Sequence, residues 1–200
     1  MRRVLDSLSK KSFNPKGYLV GKILVATPFM EDARFEHSVI YLCGHDQYGA
    51  IGLTINKPLN SLTFQDLLAQ LEIHTSMLTT KRVPMYAGGS VEVSRGFVLH
   101  SKEYQSDSTV MVGESFYITA TLDILRALAH GNGPKNFLLT LGYSGWGAGQ
   151  LELELQENLW MVVDPTYELV FNTSLDLKWK ASMALLGVNP NVLNMEAGRA

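Results

Sequence analysis

The segment Leu141–Glu152, with the sequence LGYSGWGAGQLE, constrains the fold of this chain more than any other stretch, because four of its twelve residues are glycine. Glycine loses more conformational freedom on folding than any other residue, so a cluster of glycines indicates a left-handed backbone or a close backbone approach. The segment lies between the apolar run Phe137–Leu141 and a helical pattern that starts near Leu151. It therefore predicts a glycine-rich loop, and loops of this kind often carry binding sites.

Length and charge limit the class of protein. A chain of 200 residues fits one domain and buries roughly 70% of the surface that it exposes when unfolded. Its net charge of −2 argues against direct nucleic-acid binding, which usually requires a basic face. Basic residues cluster only near the start, within residues 1–16, where they predict a polar, mobile segment ahead of the single domain.

The single cysteine, Cys43, excludes an intramolecular disulfide. No apolar run approaches the roughly 18 residues that a transmembrane helix needs, so no membrane partner is predicted. Residues 1–6 lack the apolar stretch of a signal peptide. Together these features predict a cytoplasmic protein in a reducing compartment.

The order of the predicted elements defines the fold class. Consecutive short strands alternate irregularly with a few helices, which is typical of an α+β protein and not of a doubly wound parallel sheet. Residues 151–156 alternate like a strand, but leucines repeat at i+4 and the residue types favour a helix, which we predict. Helices are also predicted from Ser61 or Thr63, from Thr121 and around Leu177–Leu185. Strands are predicted over residues 21–27, 38–43, 50–55, 83–87, 96–99, 109–112, 116–119, 137–141, 160–163 and 168–171.

The glycine-rich segment matches no common catalytic or nucleotide-binding motif. A nucleophile elbow, G-x-S-x-G, requires glycine where this chain has Trp146, so Ser144 lacks that geometry. Gly145, Gly147 and Gly149 are spaced G-x-G-x-G instead of G-x-G-x-x-G, and no lysine follows them. Neither a dinucleotide fingerprint nor a Walker loop is therefore present.

Two interpretations of the segment remain open. Its backbone N–H groups could hold a carboxylate or phosphate ahead of a helix, or they could form a tight turn over which Tyr143 and Trp146 pack. Glu152 and Glu154 lie in the first turn of the predicted helix and would repel an anion there. Their charge favours the turn.

Cys43 and His45 form a second candidate site. On an extended strand, residues i and i+2 point to one face, so an imidazolium could lower the pKa of the thiol and make it reactive. The alternative is that Cys43 only packs in the core. Two ligands are too few for a metal site, so no metal or other cofactor is predicted.

A ligand pocket is predicted between the glycine-rich segment, the Gly88–Gly89 turn and the polar margin of residues 32–38. His37 and His100 lie at strand ends, where each could act as an acid–base group or be a hydrogen-bonded structural residue. The candidate pocket residues are Asp32, His37, Gly88, Gly89, His100, Tyr143, Ser144, Gly145, Trp146 and Gly147.

Several stretches, in order along the chain, carry a family resemblance: residues 21–28, 32–43, 49–58, 88–91, 96–100, 142–152 and 158–160. Together they resemble the AlgH/YqgE family of bacterial proteins. The family often has proline where Ser90 stands, and its chains often end Gly-His-Ala, whereas this chain ends Gly198-Arg199-Ala200.

The resemblance implies an α+β fold with a bifurcated, mixed or antiparallel sheet, part of it barrel-like, surrounded by helices. It implies no defined activity, because the family is largely uncharacterised. We expect a regulatory or ligand-binding protein that binds a small molecule without turnover. The alternatives are a hydrolase-like or thiol-dependent enzyme that uses Cys43, His45 or His100, and a transcriptional regulator, a label that some family members carry by association.

Overall fold

The computed structural model describes residues 18–74 and 83–188. The predicted mobile segment at residues 1–16 lies outside these ranges. So does the C-terminal Gly198-Arg199-Ala200, which differs from the usual ending of the family. Within them, nine strands combine with four α-helices and a π-helix. The elements are β1 (Ile23–Ala26), β2 (Val39–Asp46), β3 (Gly49–Thr54), α1 (Phe64–Gln70), β4 (Met85–Ala87), β5 (Val91–His100), β6 (Val110–Val112), β7 (Phe116–Thr119), α2 (Leu122–Ala129), β8 (Phe137–Gly147), α3 (Gln150–Gln156), β9 (Trp160–Val163), the π-helix (Glu168–Asn172) and α4 (Leu175–Leu185).

All nine strands form one sheet, in the order β6-β7-β5-β8-β3-β2-β1-β9, with β4 attached to β8. The pairings are antiparallel except that between β4 and β8, which is parallel. The first half of β8 lies between β4 and β5, whereas its last residues, Ser144–Gly147, pair with β3. The sheet therefore branches along β8, and the prediction of a bifurcated, mixed sheet in an α+β fold is confirmed.

The sheet curls into a half-barrel in which the β6–β7 hairpin contacts β2 and the residues just before β1. The Tyr41 hydroxyl donates to the Val112 carbonyl at 2.9 Å, and a Cβ built on Gly21 would lie 2.6 Å from the Gly113 Cα. The π-helix and α4 cover the inside of the curl with apolar side chains that include Val170. This interior forms the largest buried cluster of the described residues.

Two further apolar clusters cover the rest of the sheet. Helices α1 and α2 pack over β4, β5 and β8 through leucines, isoleucines and Phe64. Helix α3 packs over the opposite branch, where Leu151 meets Trp146 and Trp160. Helix α3 thus lies directly on the glycine-rich end of β8.

Local signals place the helix ends as the sequence predicts. Thr63 caps α1 in a reciprocal capping box with Asp66, and α2 begins directly after Thr121. Gly187 follows the last helix with a φ of +70°, a left-handed conformation that favours glycine. The prediction of a helix over residues 151–156 is confirmed, since α3 spans Gln150–Gln156.

Two element predictions were wrong. The glycine-rich segment is not a loop: through Gly147 it is the end of β8, and Gly142 allows the backbone of Gly89 and Val91 to approach the strand. Residues 168–171 are not a strand but lie in the π-helix, whose Glu168 carbonyl accepts from the Thr173 N–H and hydroxyl at 2.9 and 3.0 Å. In the described ranges, no helix has the length and apolar character needed to cross a membrane.

Candidate functional site

A carboxylate held by two buried tryptophans is the main polar feature beneath α3. The Trp146 and Trp160 indole N–H groups both donate to Glu154 Oε2, at 2.8 and 2.7 Å. The Gln150 side-chain amide donates to the other oxygen, Oε1, at 2.8 Å. We call these four residues the indole–carboxylate cluster.

Three separate elements position the cluster. Trp146 lies near the end of β8 opposite Ala50, and Trp160 begins β9 opposite Ala26. Their rings meet edge to face, with centroids 5.9 Å apart, and each residue is less than 5% exposed. The i,i+4 spacing on α3 brings Gln150 alongside Glu154. The small alanines opposite the two tryptophans leave room for the rings on this face.

All hydrogen bonds within the cluster are donated to the Glu154 carboxylate. An indole N–H can only donate, so the receptor formed by the two rings requires an acceptor. Donation to an ionised carboxylate is shorter and stronger than a neutral hydrogen bond, in agreement with the 2.7–2.8 Å distances. Two bonds fill the usual capacity of Oε2, whereas Oε1 accepts one bond from a side chain. Within residues 18–74 and 83–188 no second donor contacts Oε1, so this oxygen can accept one further hydrogen bond.

The cluster borders an open cleft of about 440 Å³ between α3 and the segment 29–35. Asp32 and Arg34 form a forked ion pair on this segment, with N–O distances of 2.6 to 3.1 Å. The Arg34 side chain holds the pKa of the Asp32 carboxyl below its ordinary value. The cleft is lined by Phe29, Met30, Glu31, Asp32, Arg34, Phe35, Gln150, Glu154, Glu157 and Leu159.

His45 contacts the same helix at another position. Its Nε2 lies 2.9 Å from Glu152 Oε1, and its Nδ1 accepts from the Leu19 backbone N–H at 3.1 Å. A nitrogen that accepts carries no proton, so this geometry assigns a neutral ring with its proton on Nε2. His45 thereby fastens α3 and the chain at Leu19 to β2.

The predicted pocket residues do not come together in one cavity. The Gly88–Gly89 segment lies directly on β8: the Gly88 N–H donates to the Leu141 carbonyl, and a Cβ on Gly89 would lie 2.0 Å from the Tyr143 carbonyl carbon. Tyr143 and Ser144 are each 1% exposed beneath this contact. Close backbone packing, and not ligand approach, is what these glycines permit.

The remaining predicted residues lie at three separate places. His37 packs against Trp179 with ring centroids 4.3 Å apart, whereas His100 is fully buried and bonds to Thr119 Oγ1 and the Ser101 carbonyl. Burial lowers the pKa of His100. Of the predicted set, the cluster and the cleft beside it bring together Trp146 and Asp32, while Gly145 and Gly147 continue the β3–β8 ladder.

The prediction that Cys43 and His45 share a face was wrong. A β-bulge between Leu42 and Gly44 shifts the register of β2 against β3 by one residue. Cys43 consequently packs in the half-barrel interior, whereas His45 pairs with Ala50 on the α3 side. Burial raises the pKa of the Cys43 thiol well above its ordinary value, so neither exposure nor charge favours a nucleophile there.

We expect Cys43 to resist alkylation in the folded protein. Only the thiolate reacts readily, and this side chain is 2% exposed with its thiol 3.6 Å from the Tyr41 carbonyl. Mass spectrometry after iodoacetamide treatment should show unmodified protein under native conditions and complete modification in denaturant. Rapid modification of the native protein would contradict the buried placement.

The sequence analysis missed three functional candidates: Gln150, Glu154 as an acceptor, and Trp160. A sequence signal for Gln150 and Glu154 was present, since they are one helical turn apart in the predicted helix that follows Trp146. The pairing of Trp160 with Ala26 depends on strand order, which local sequence does not report. Among the described residues, no group of three or more His, Cys, Asp or Glu side chains is arranged to hold a metal ion.

The branched, curled sheet with α3 on its glycine-rich strand defines an α+β protein in which two indole N–H groups and the Gln150 amide hold the Glu154 carboxylate. A family model described as AlgH-like matches residues 23–191. The chain therefore belongs to the AlgH-like family, and the resemblance inferred from its sequence is confirmed.

Relatives and solved structures agree with this membership. A UPF0301 protein of Rhodospirillum rubrum is 46% identical over 185 residues, covering 92% of this chain and 96% of its own. A UPF0301 protein of Ruegeria pomeroyi is 48% identical, covering 91% of this chain and 99% of its own. The solution structure of AlgH from Pseudomonas aeruginosa superposes with a TM-score of 0.76 at 37% identity, covering 94% and 100%. A Corynebacterium diphtheriae protein shares the fold, with a TM-score of 0.65 at 17% identity over 90% of this chain and 91% of its own.

Proposed function

We propose that this protein is a cytoplasmic regulatory protein that binds a small molecule without converting it. The ligand would occupy the cleft between α3 and the segment 29–35. The observation that carries this proposal is the Glu154 carboxylate, which three donors hold at the border of a cleft of about 440 Å³. A cavity of this size lies within the range of small-molecule sites.

The contents of the cleft support binding more than catalysis. Phe29, Phe35 and Leu159 supply apolar surface, and Arg34 and Glu154 supply groups that can orient a ligand. Cys43 is buried on the other face of the sheet, and His45 Nδ1 is occupied by a backbone N–H. The thiol-dependent alternative therefore has no support from the geometry.

Tryptophan signals provide a test. Trp146 and Trp160 belong to the indole–carboxylate cluster, whereas Trp179 donates to the Ala26 carbonyl in the half-barrel and serves as an internal reference. In ¹H–¹⁵N spectra of the full chain, millimolar putrescine, glutamate, phenylacetate, benzoate and AMP would be tested one at a time. We expect at least one probe to shift the Trp146 and Trp160 indole signals but not that of Trp179.

The same samples test for turnover. After prolonged incubation the bound probe should be recovered unchanged, as measured by NMR of the small molecule. Steady conversion of a probe would favour the enzyme alternative. If every probe left all three indole signals and the thermal unfolding midpoint unchanged, the cleft would not be a binding site for these ligand classes.

A further inference from the structure

We propose that the two tryptophans and Gln150 form a binding site for a carboxylic acid, and that Glu154 occupies this site as an internal ligand. The acid would enter through the cleft, displace the Glu154 side chain and place its own carboxylate on the same three donors. This inference rests on the proposed function, since it names the ligand class of that cleft.

The arrangement of donors carries the inference. Two indole N–H groups, on residues 4% and 3% exposed, converge on a single oxygen, and an amide N–H contacts the second oxygen of the same group. None of these donors carries a charge, the two indoles have no acceptor to offer, and the Gln150 amide oxygen already accepts from the Gly147 N–H at 3.0 Å. Such a receptor recognises the two oxygens of a carboxylate and offers nothing to an ammonium group.

The position of Glu154 allows the exchange. The tryptophans extend from strands, whereas Glu154 extends from the seven-residue helix α3, and this residue also lines the open cleft. Rotation of its side chain away from the rings would bring the carboxylate towards the cleft that Arg34 also lines. Glu154 can therefore leave while the donors stay in place.

The lining of the cleft further specifies the acid. Phe29, Met30, Phe35 and Leu159 form an apolar wall, and Phe29 is 55% exposed. An acid with a compact apolar or aromatic body would cover this wall while its carboxylate reaches the indoles. Benzoate has this shape, and benzylamine is a matched probe of similar size and opposite charge.

Charge and tethering set the expected affinities. Glu31, Asp32, Glu154 and Glu157 line the cleft with Arg34, so an added anion is disfavoured in the native protein. A tethered group also competes at an effective concentration in the millimolar range or above. Replacing Glu154 with alanine removes the tethered competitor and one of the four carboxylates, so bound benzoate only restores the original number of carboxylates.

The experiment compares native protein with Glu154→Ala by calorimetry and by the indole N–H signals. We expect Glu154→Ala to bind benzoate at least tenfold more tightly than the native protein, and to recover part of its lowered unfolding midpoint as benzoate is added. Both the Trp146 and Trp160 signals should shift, and that of Trp179 should not. Benzylamine should produce none of these changes.

Two control variants separate the donors from general charge effects. Glu157→Ala removes a carboxylate from the same cleft without opening the receptor, so it should not produce the tenfold gain. Glu154→Ala combined with Trp160→Phe removes one donor and should lose most of the gain. If Glu154→Ala does not fold, Glu154→Gln keeps the side-chain volume, and benzoate should still shift both indole signals in that variant.

The outcomes distinguish this inference from the proposed function. A folded Glu154→Ala or Glu154→Gln protein whose indole signals ignore benzoate would overturn the carboxylic acid site. If the native protein nevertheless bound putrescine or another probe at the cleft, the proposed function would stand without it. Equal binding of benzoate and benzylamine would likewise overturn the donor-only recognition.

Discussion

Replacing Gly142 with alanine should unfold this protein or destabilise it by more than about 4 kcal/mol, the range that marks a backbone clash in a core. Gly142 has a φ of +72°, and a Cβ built on it would lie 2.5 Å from the Gly89 carbonyl oxygen and 3.0 Å from that of Val91. Both contacts are backbone atoms, so no side-chain rotation can relieve them. The clash falls where β8 passes from one branch of the sheet to the other.

Gly131→Ala is a matched control for this prediction. Gly131 has nearly the same φ, +75°, but no atom lies within 4 Å of its built Cβ. Gly131→Ala should therefore destabilise the folded protein only by the cost of holding one alanine in a left-handed conformation, about 1–2 kcal/mol. Urea unfolding followed by circular dichroism compares the two, and equal losses in both variants would show that crowding at the branch contributes nothing.

Replacing Lys178 with methionine should increase the free energy of unfolding at neutral pH. It should also remove one source of the pH dependence of that free energy. Lys178 is 1% exposed, and its Nζ donates to the Val170 carbonyl at 2.6 Å. Burial lowers the pKa of Lys178 from 10.5 to about 8. Its ammonium form is therefore disfavoured in the folded protein by about 3 kcal/mol relative to the unfolded chain.

The sign of the pH dependence follows from these two pKa values. Below pH 8 the lysine is protonated in both states, so its unfavourable contribution is fully present and constant. Between pH 8 and 10.5 the unfolded chain holds a proton that the folded protein has released, so this lysine makes stability rise with pH. Cys43 has the opposite effect, because its thiol stays protonated in the folded protein while the unfolded thiol ionises.

The quantity to measure is therefore the difference in free energy of unfolding between Lys178→Met and native protein across pH 7 to 10.5. The contribution of Cys43 cancels in this difference. Methionine leaves the Val170 carbonyl without this donor, which costs about 1–2 kcal/mol, so we expect a net gain of about 1–2 kcal/mol at pH 7. This advantage should shrink and reverse as pH rises. The exposed Lys180 provides a control, and a pH-independent difference for Lys178→Met would contradict the burial argument.

Elements with strong local signals could be predicted from the sequence. The start of α1 after Thr63 and the start of α2 after Thr121 both depend on residues a few positions apart. The resemblance to a known family then supplied the branched sheet. Local sequence patterns alone could not predict the branched sheet, because the strands that pair with β8 are separated from it by up to about a hundred residues.

The positions of the predicted pocket residues could not be read from the sequence for a related reason. Within the glycine-rich segment, Gly142 is a position of close approach, as the sequence predicts, but the approaching atoms are the backbone carbonyl oxygens of Gly89 and Val91 and not a ligand. The bulge that separates Cys43 from His45 falls beside Gly44, and an isolated glycine in a strand pattern is a local signal of a bulge that the prediction of a shared face did not use. The indole–carboxylate cluster combines a local i,i+4 pair with a pairing between β1 and β9, and only the first half of that could be read from sequence.

The branching of the sheet along β8 also has a consequence during synthesis on the ribosome. Strands β3, β4 and β5 all hydrogen bond to β8, which follows them in the chain and ends at Gly147. A nascent chain that has not yet exposed β8 outside the exit tunnel lacks the strand that joins them. We therefore expect truncated chains ending before Phe137 to be cleaved rapidly by protease, and native-like resistance to arise only after most of the polypeptide has emerged.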